Sequence, residues 1–430
     1  MIAATPRFKC HGCGAIVDIA HRPPYACPNI AIDDDIDHLL VAQNCDDLLA
    51  LGLEADPFLR YRTLLSPYRL ARSAGLSDEA WAEIVGRLDR ALIAIDGHGF
   101  RITPMVPQEA LAKAAGFDGV LWVKDETANV SGSHKARHLM GVMLYLRVLE
   151  IARLAAGEGM RTRRLAIASC GNAALAAAVI ARATDWPLDV FIPTDAPGSI
   201  AHRLKELGAT INVCGRVPGE TGDPCVKAFR LAVDAGSIPF GVQGPANGLA
   251  IEGGRTLAFE MADQFNAAGV LPAALFVQVG GGALASALAQ GFALAAVQGV
   301  VARPPSLMLV QTAGCAPLLR AWQLMSQIEL GDAARHRSRF MWPWENVPAS
   351  LAHGILDDET YDWWEAVKAM RNTGGRPVVA DEESLARANV LARAYTGINV
   401  SATGSAGLAG LLAVGGQDGH VAVIFSGAER

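Results

Sequence analysis

From Arg101 to the end of the chain, short runs rich in Val, Ile, Leu and Phe alternate with longer, alanine-rich runs whose apolar positions keep helical spacing. That alternation predicts parallel strands joined by helical crossovers, and so an α/β fold. The strands fall on GVLWVKD (119–125), RRLAIAS (163–169), LDVFIPT (188–194), ATINVCG (209–215), IPFGVQ (238–243), AALFVQVGG (273–281), SLMLVQT (306–312) and HVAVIFSG (420–427). Helices are expected between them over 173–183, 199–207, 224–235, 254–268 and 284–296. Residues 1–95 break the alternation and read as an N-terminal extension: a cysteine knuckle, an acidic loop around Asp33, Asp34 and Asp35, and a helical stretch over 77–95 whose Ser77-Asp78-Glu79-Ala80 start resembles a cap. The irregular segment 335–351, with Trp342-Pro343-Trp344, suits a loop over a site or a subunit contact.

Composition narrows the possibilities. A chain of 430 residues, half of them hydrophobic, has ample core for one large or two medium domains. A formal charge of −6 with no basic block leaves no electrostatic footprint for nucleic acid or an anionic membrane, and neither is expected as a partner. The N-terminal stretch MIAATPRFKCHGC lacks a signal-like apolar region and no run is long enough to span a bilayer, so a cytoplasmic protein is expected. Eight cysteines in so long a chain do not make a disulfide framework. Cys10, Cys13 and Cys27 form half of a zinc ribbon. No fourth ligand is evident; His21, His11 or Cys45 would have to be recruited, and a metal-free knuckle keeping the ribbon shape is the preferred expectation.

The sharpest chemical clue is Lys135, placed where the small-residue turn Ser131-Gly132-Ser133 opens a long apolar helix. The unpaired N–H groups of a first helical turn and burial both favour the neutral amine, the form a Schiff-base lysine requires. Three strand-to-helix loops could accompany it, since ligands collect at the carboxyl ends of parallel strands. In the first, Ser169, Cys170, Gly171 and Asn172 offer a hydroxyl, an amide side chain and helix-start N–H groups to a carboxylate and a ring oxygen, although Ser169 and Asn172 taken singly are also ordinary helix caps. In the second, Gly280, Gly281 and Gly282 can close on a phosphate. The same run fits a dinucleotide fingerprint through Gly280, Gly282 and Ala285, but the next strand ends in Gln311-Thr312 where a ribose-binding acid is needed. In the third, Thr403 and Ser405 flank Gly404 before a final helix. A neutral hydroxyl there can hydrogen-bond a pyridine nitrogen without protonating it, which favours expulsion of a leaving group over transamination.

In this order the loops resemble the pyridoxal-phosphate enzymes of the tryptophan synthase β-like fold, fold type II, and most nearly their threonine-synthase-like branch. The resemblance starts at ITPMV (102–106) and runs from about Gly99 to Arg430. VKDETANVSGSHKAR is similar to the lysine motif and puts the Schiff-base lysine on Lys135. Ser169 to Asn172 match the loop that binds the substrate carboxylate, with Asn172 against the ring 3-hydroxyl, while Ala173, next in that loop, stands where a threonine or histidine is common. ANGLAIEGGRTLAFEM, through Glu252, Gly253 and Thr256, looks like a further family stretch. Gly280 to Gly282 and Ala283 match the phosphate loop, and Thr403 the pyridine-nitrogen hydroxyl. The N-terminal knuckle is similar to a cysteine-bearing ribbon in some threonine-synthase-like proteins.

The resemblance implies two parallel-sheet α/β domains with an N-terminal extension: a large pyridoxal-phosphate domain over 96–140 and 240–430, and a smaller mobile one over 141–239. It also implies a homodimer. Departures lie beside the substrate: His134 and Ala136 replace the Phe and Asp that usually flank the lysine, and Cys170 replaces a hydroxyl. His134 is therefore read as a phosphate ligand or a helix-start cap, and Cys170 as a second acid/base or an inert thiol. The activity implied is elimination or replacement on a small amino acid with a leaving group at Cβ or Cγ, ranked above a serine or threonine dehydratase. A dinucleotide oxidoreductase and a catalytically silent amino-acid-binding homologue are the other readings. Arg137, Lys124 and Arg255 are candidate suppliers of positive charge for a substrate phosphate, and each is equally read as a surface charge or a member of an ion pair.

Overall fold

The computed structural model describes residues 5–31, 33–43, 52–216, 219, 222–325, 330–415 and 419–430. Near the N-terminus a small antiparallel sheet, order β2-β1-β3, is built from β1 (Arg7–Cys10), β2 (Ile16–Asp18) and β3 (Leu40–Ala42). A four-stranded parallel sheet follows, order β8-β7-β6-β9, from β6 (Leu165–Ala168), β7 (Leu188–Pro193), β8 (Thr210–Cys214) and β9 (Ile238–Pro239). The third sheet has the order β12-β11-β10-β13-β5-β4 and uses chain on either side of the second: β4 (Met105–Pro107) and β5 (Val120–Asp125), then β10 (Ala274–Gln278), β11 (Ser306–Thr312), β12 (Arg376–Ala380) and β13 (His420–Phe425). It is parallel except for β4, which pairs antiparallel with β5.

All eight strands expected from the pattern are present, and β12 is an addition. Its sequence, RPVVA, carries a proline, which is tolerated because β12 lies at a sheet edge. The helix Asp78–Asp96 forms as expected, with the Ser77 hydroxyl accepting the Ala80 N–H and Gly97 closing it in the left-handed region. The helix expected over 254–268 begins earlier, at Gly248, under an Asn247 cap, and runs to Ala267. Its glycine pair is an approach surface: a Cβ on Gly253 would lie 2.5 Å from the Arg137 carbonyl oxygen, and one on Gly141 2.7 Å from Gly253 Cα. The helix Lys135–Ile151 thus packs backbone to backbone on Gly248–Ala267 and is buried nearly all round.

The same pair of helices carries a buried ion network. Arg137 pairs with Glu126 (2.7 Å) and Glu260 (2.5 Å), and Lys124 with Glu260 (2.7 Å), all four side chains being fully buried. Thr103 joins through its hydroxyl to Glu126 and through its carbonyl to Lys124. Lys124 and Arg137 are therefore committed to carboxylates: of the readings open for them the ion pair holds, and contact with a substrate phosphate does not. Arg255 lies on the far side of Gly248–Ala267, where Gln290 Oε1 accepts from its guanidinium. A charged side chain in sequence looks solvent-directed; here three are consumed by partners distant in the chain.

Candidate active site

One cavity of about 340 Å³, within the range of small-molecule sites, opens where the strands of the two parallel sheets end. The residues expected at the lysine motif, the carboxylate loop, the glycine loop and the ring nitrogen line it: Lys135 and His134; Ser169, Cys170, Gly171, Asn172 and Ala173; Gly280, Gly281, Gly282 and Ala283; and Thr403. Lys124, Arg137 and Arg255 do not.

Lys135 is the first residue of its helix, and the turn before it puts Ser131 and Gly132 at positive φ (55° and 63°). Burial pushes the Lys135 ammonium below its ordinary pKa, while Asp357 and Asp362 oppose the shift. His134 makes no side-chain cap. Its Nδ1 donates to the Ser426 carbonyl (3.0 Å) and its Nε2 is buried with no partner among the described residues. Burial, with Lys135 adjacent, holds the imidazole well below its usual pKa. The side-chain cap reading of His134 is thus corrected; with its Nδ1 proton committed to Ser426, the neutral ring has only a lone pair at Nε2, so it would meet a phosphate by accepting from a phosphate O–H, or as a donor after taking up a second proton.

The glycine loop joins β10 to the helix Ala283–Val297. A Cβ on Gly280 would lie 2.2 Å from Asp357 Oδ2, on Gly281 2.9 Å from Tyr361 Cδ2, and on Gly282 3.0 Å from Thr360 Cγ2. The absence of side chains leaves the loop's N–H groups and the helix N-terminus open to an anion. The segment pressed against it, from His353 to Asp362, is a part of the site that sequence reading missed. Asp362 N–H donates to the Gly281 carbonyl (2.9 Å), and Asp362 Oδ2 accepts from Gly244 N (3.2 Å). Burial pushes the Asp357 carboxyl up to about 6. The loop expected over the site at 335–351 is displaced in sequence: the lining begins at His353, and Trp342 and Trp344 instead hold Arg320, whose guanidinium carbon lies 3.8 Å and 5.3 Å from their ring centres.

At the carboxylate loop, Gly171 N–H donates to Ser169 Oγ (3.4 Å), and Arg430 Nε donates to Asn172 Oδ1 (3.2 Å). Arg430 also donates to the Ser131 carbonyl, bridging the lysine turn to this loop. Burial and the neighbouring Asp195 and Asp223 push the Cys170 thiol up, so it stays protonated at neutral pH. Opposite, Thr403 sits in the first turn of the helix Ala402–Val414, whose cap is Ser401. Ser405 is fully buried and turns inward, donating to the Ser401 carbonyl (3.0 Å), and belongs to the core. Gln311 caps a helix through its Oε1 to Leu318 N (2.9 Å), so β11 ends without a ribose-binding acid.

A buried amine at one end, a side-chain-free loop open to an anion, and a hydroxyl in the same cavity are the groups a phosphorylated, aldehyde-bearing pyridine would need. Residues 98–427 match the family described as "Pyridoxal-phosphate dependent enzyme", and the chain belongs to that family. It is a pyridoxal-phosphate enzyme of amino-acid metabolism with the fold type II architecture. Among its relatives is threonine synthase of Methanosarcina acetivorans, 29% identical over 76% of this chain and 74% of the relative. Another is threonine synthase of Mycobacterium leprae, 28% identical over 72% and 75%. "Serine dehydratase-like" of Mus musculus is 30% identical over 44% and 52%. In fold the chain is similar to a threonine deaminase from T.th. (TM-score 0.59, 22% identity, 80% of this chain and 98% of that one). It is also similar to diaminopropionate ammonia lyase from Escherichia coli (TM-score 0.58, 17% identity, 89% and 93%).

Proposed function

We propose that this chain catalyses elimination or replacement on a small amino acid carrying a leaving group at Cβ or Cγ, in the manner of the threonine synthases it is similar to. The observation that carries the reading is the convergence of Lys135, the Gly280–Gly282 loop and Thr403 on one cavity. Lys135 would hold the cofactor through its aldehyde and, as a free amine, would be the base that removes and returns the substrate α-proton. Burial prepares it for that by favouring the uncharged amine. Gly280, Gly281, Gly282 and Ala283, with His134 or Ser133 beside them, would hold the phosphate. Asn172 faces the ring oxygen, and Ser169, Gly171 and the N–H groups at Ala173 orient the substrate carboxylate. When bound, the pyridine ring draws electron density from Cα and makes its proton removable. Cys170, kept as a thiol, can give a proton but not take one.

Arg430 replaces the three cations expected near the substrate, since it lines the cavity beside Asn172. The acids Asp223, Asp357 and Glu429 share that lining. They favour a neutral leaving group and so support the second reading, a serine or threonine dehydratase. Incubation with O-phosphohomoserine, threonine, serine and O-acetylserine, with assays for phosphate, keto acid and new amino acids, separates the two. Absence of any product or spectral response would leave the catalytically silent reading.

The proposal includes residues 141–239 as the smaller, moving unit, supported by a cavity walled by Ser169–Ala173 on one side and Gly280–Gly282 on the other. It includes a cytoplasmic homodimer. The described cysteines are all free thiols, which suits a reducing compartment; the dimer rests on the resemblance. Among the described residues no helix is long and apolar enough to cross a membrane.

A further inference from the structure

Cys10, Cys13, Cys27 and His38 bring three sulfurs and one imidazole nitrogen within 4.8 Å of one another. We propose that they form a structural zinc site that braces the phosphate-loop side of the active site. Cys10 ends β1, Cys13 lies in the turn closed by Gly14 N–H to the Cys10 carbonyl (2.9 Å), and His38 lies just before β3. Cys10 Sγ is 3.5 Å from His38 Nδ1, and Cys13 Sγ is 3.5 Å from Cys27 Sγ. A tetrahedron with Zn–S near 2.3 Å and Zn–N near 2.0–2.1 Å has edges of roughly 3.4–3.8 Å. Two of the six ligand-atom pairs already have that spacing, and all four atoms lie within 4.8 Å of one another.

Two further features belong to a metal centre. His38 Nε2 lies 2.5 Å from Asp34 Oδ2, so the carboxylate accepts a hydrogen bond from Nε2–H, which keeps the proton there and leaves the Nδ1 lone pair free for a metal beside the sulfurs. Asn29 aims its backbone N–H at Cys27 Sγ (3.5 Å) and its side-chain amide at Cys13 Sγ (3.6 Å), donors suited to thiolates. Three sulfurs and one imidazole make a closed set, with Cys10, Cys27 and His38 buried, which is the form of structural rather than catalytic zinc. The fourth ligand expected from sequence is corrected: His11 pairs with Glu365, His21 lies outside the cluster, and Cys45 lies outside the described residues. His38 was missed because an irregular loop separates it from the knuckle.

The site reaches the active site through one residue. A Cβ on Gly244 would meet Leu39 Cδ1 at 2.7 Å and Asp362 Oδ1 at 2.2 Å, and Asp362 in turn donates to the Gly281 carbonyl. Leu39, next to the ligand His38, therefore packs on the turn that holds the phosphate loop.

The test is metal analysis of the full-length protein produced with zinc in the medium, alongside a count of reactive thiols. The expected result is one zinc per chain, released by a mercurial titrant together with three protected thiols. His38→Cys should retain the metal, and Asp34→Asn should weaken it by about 10–100-fold. Stripping zinc should lower the melting temperature and weaken pyridoxal-phosphate binding, read by cofactor fluorescence without any assay of turnover. A metal-free protein, a Cys13–Cys27 disulfide, or zinc retained in full by a Cys13→Ser/Cys27→Ser variant would overturn the proposal. The wild-type zinc and thiol counts decide it even if that variant does not fold.

Discussion

Thr403 Oγ1 accepts the backbone N–H of Gly354 at 3.0 Å, so the proton left on that hydroxyl is the one it can offer to the cavity. A hydroxyl so fixed can donate to an unprotonated ring nitrogen, whereas a carboxylate would hold that nitrogen's proton. Thr403→Val should fold normally and bind pyridoxal phosphate about 2–10-fold more weakly, the worth of one hydrogen bond. Thr403→Asp should divert turnover toward amino-group transfer, seen by mass spectrometry as cofactor recovered in its amine form.

Borohydride reduction of the cofactor-loaded protein should fix the label on Lys135. Lys135→Ala should keep the fold and lose about 10²–10⁴-fold in turnover, the usual contribution of a positioned base. Peptide mapping that finds the label on another lysine would end the assignment.

Asp357 gives a pH signature. Its carboxyl sits at about 6 when folded against an ordinary 3.8, so the unfolded chain releases this proton first. Stability of the cofactor-free protein should therefore fall as pH rises through that interval and level off above it. Asp357→Asn should be more stable than wild type at pH 8 by about 1–2 kcal/mol, discounted because the group lines an open cavity, and equal to it near pH 4. Thermal melts across pH measure both.

Glu260 joins Lys124 and Arg137 in full burial, so Glu260→Ala should destabilise by about 3–5 kcal/mol, leaving two cations underpaired. Denaturant titration reads this. Arg430→Ala should instead leave the melting temperature nearly unchanged and raise KM for a phosphorylated substrate more than for serine.

Gly280→Ala tests the cradle. Its Cβ would lie 2.2 Å from Asp357 Oδ2 and 2.9 Å from Ile355 Cα, so the opposing segment must move or the anion site close. Cofactor affinity should drop at least about 10-fold, a loss near 1.4 kcal/mol, by fluorescence titration.

What could be read from the sequence was what the chain encodes locally. Strand and helix alternation, the Ser77 cap and the glycine loop before Ala283 each depend on neighbours within a few positions, and each is in place. Lys135 was legible because its turn and its apolar helix adjoin it. Asp357, Tyr361 and Arg430 carry no local pattern; they reach the cavity because the β11–β12 connection and the chain after β13 converge on the loop that follows β10. The fate of Lys124 and Arg137 was hidden for the same reason, since their partner Glu260 lies more than a hundred positions away.

The glycine contact between Gly141 and Gly253 bears on how the enzyme would be made to work. Two helices whose backbones touch have no side chains between them to slide on or repack, so the amine at the head of one is bolted to the other. An anchor of that kind cannot chase its reactants. Any adjustment to substrates of different size has to come from the facing wall, and engineering a new specificity should begin there, with the lysine's mounting left alone.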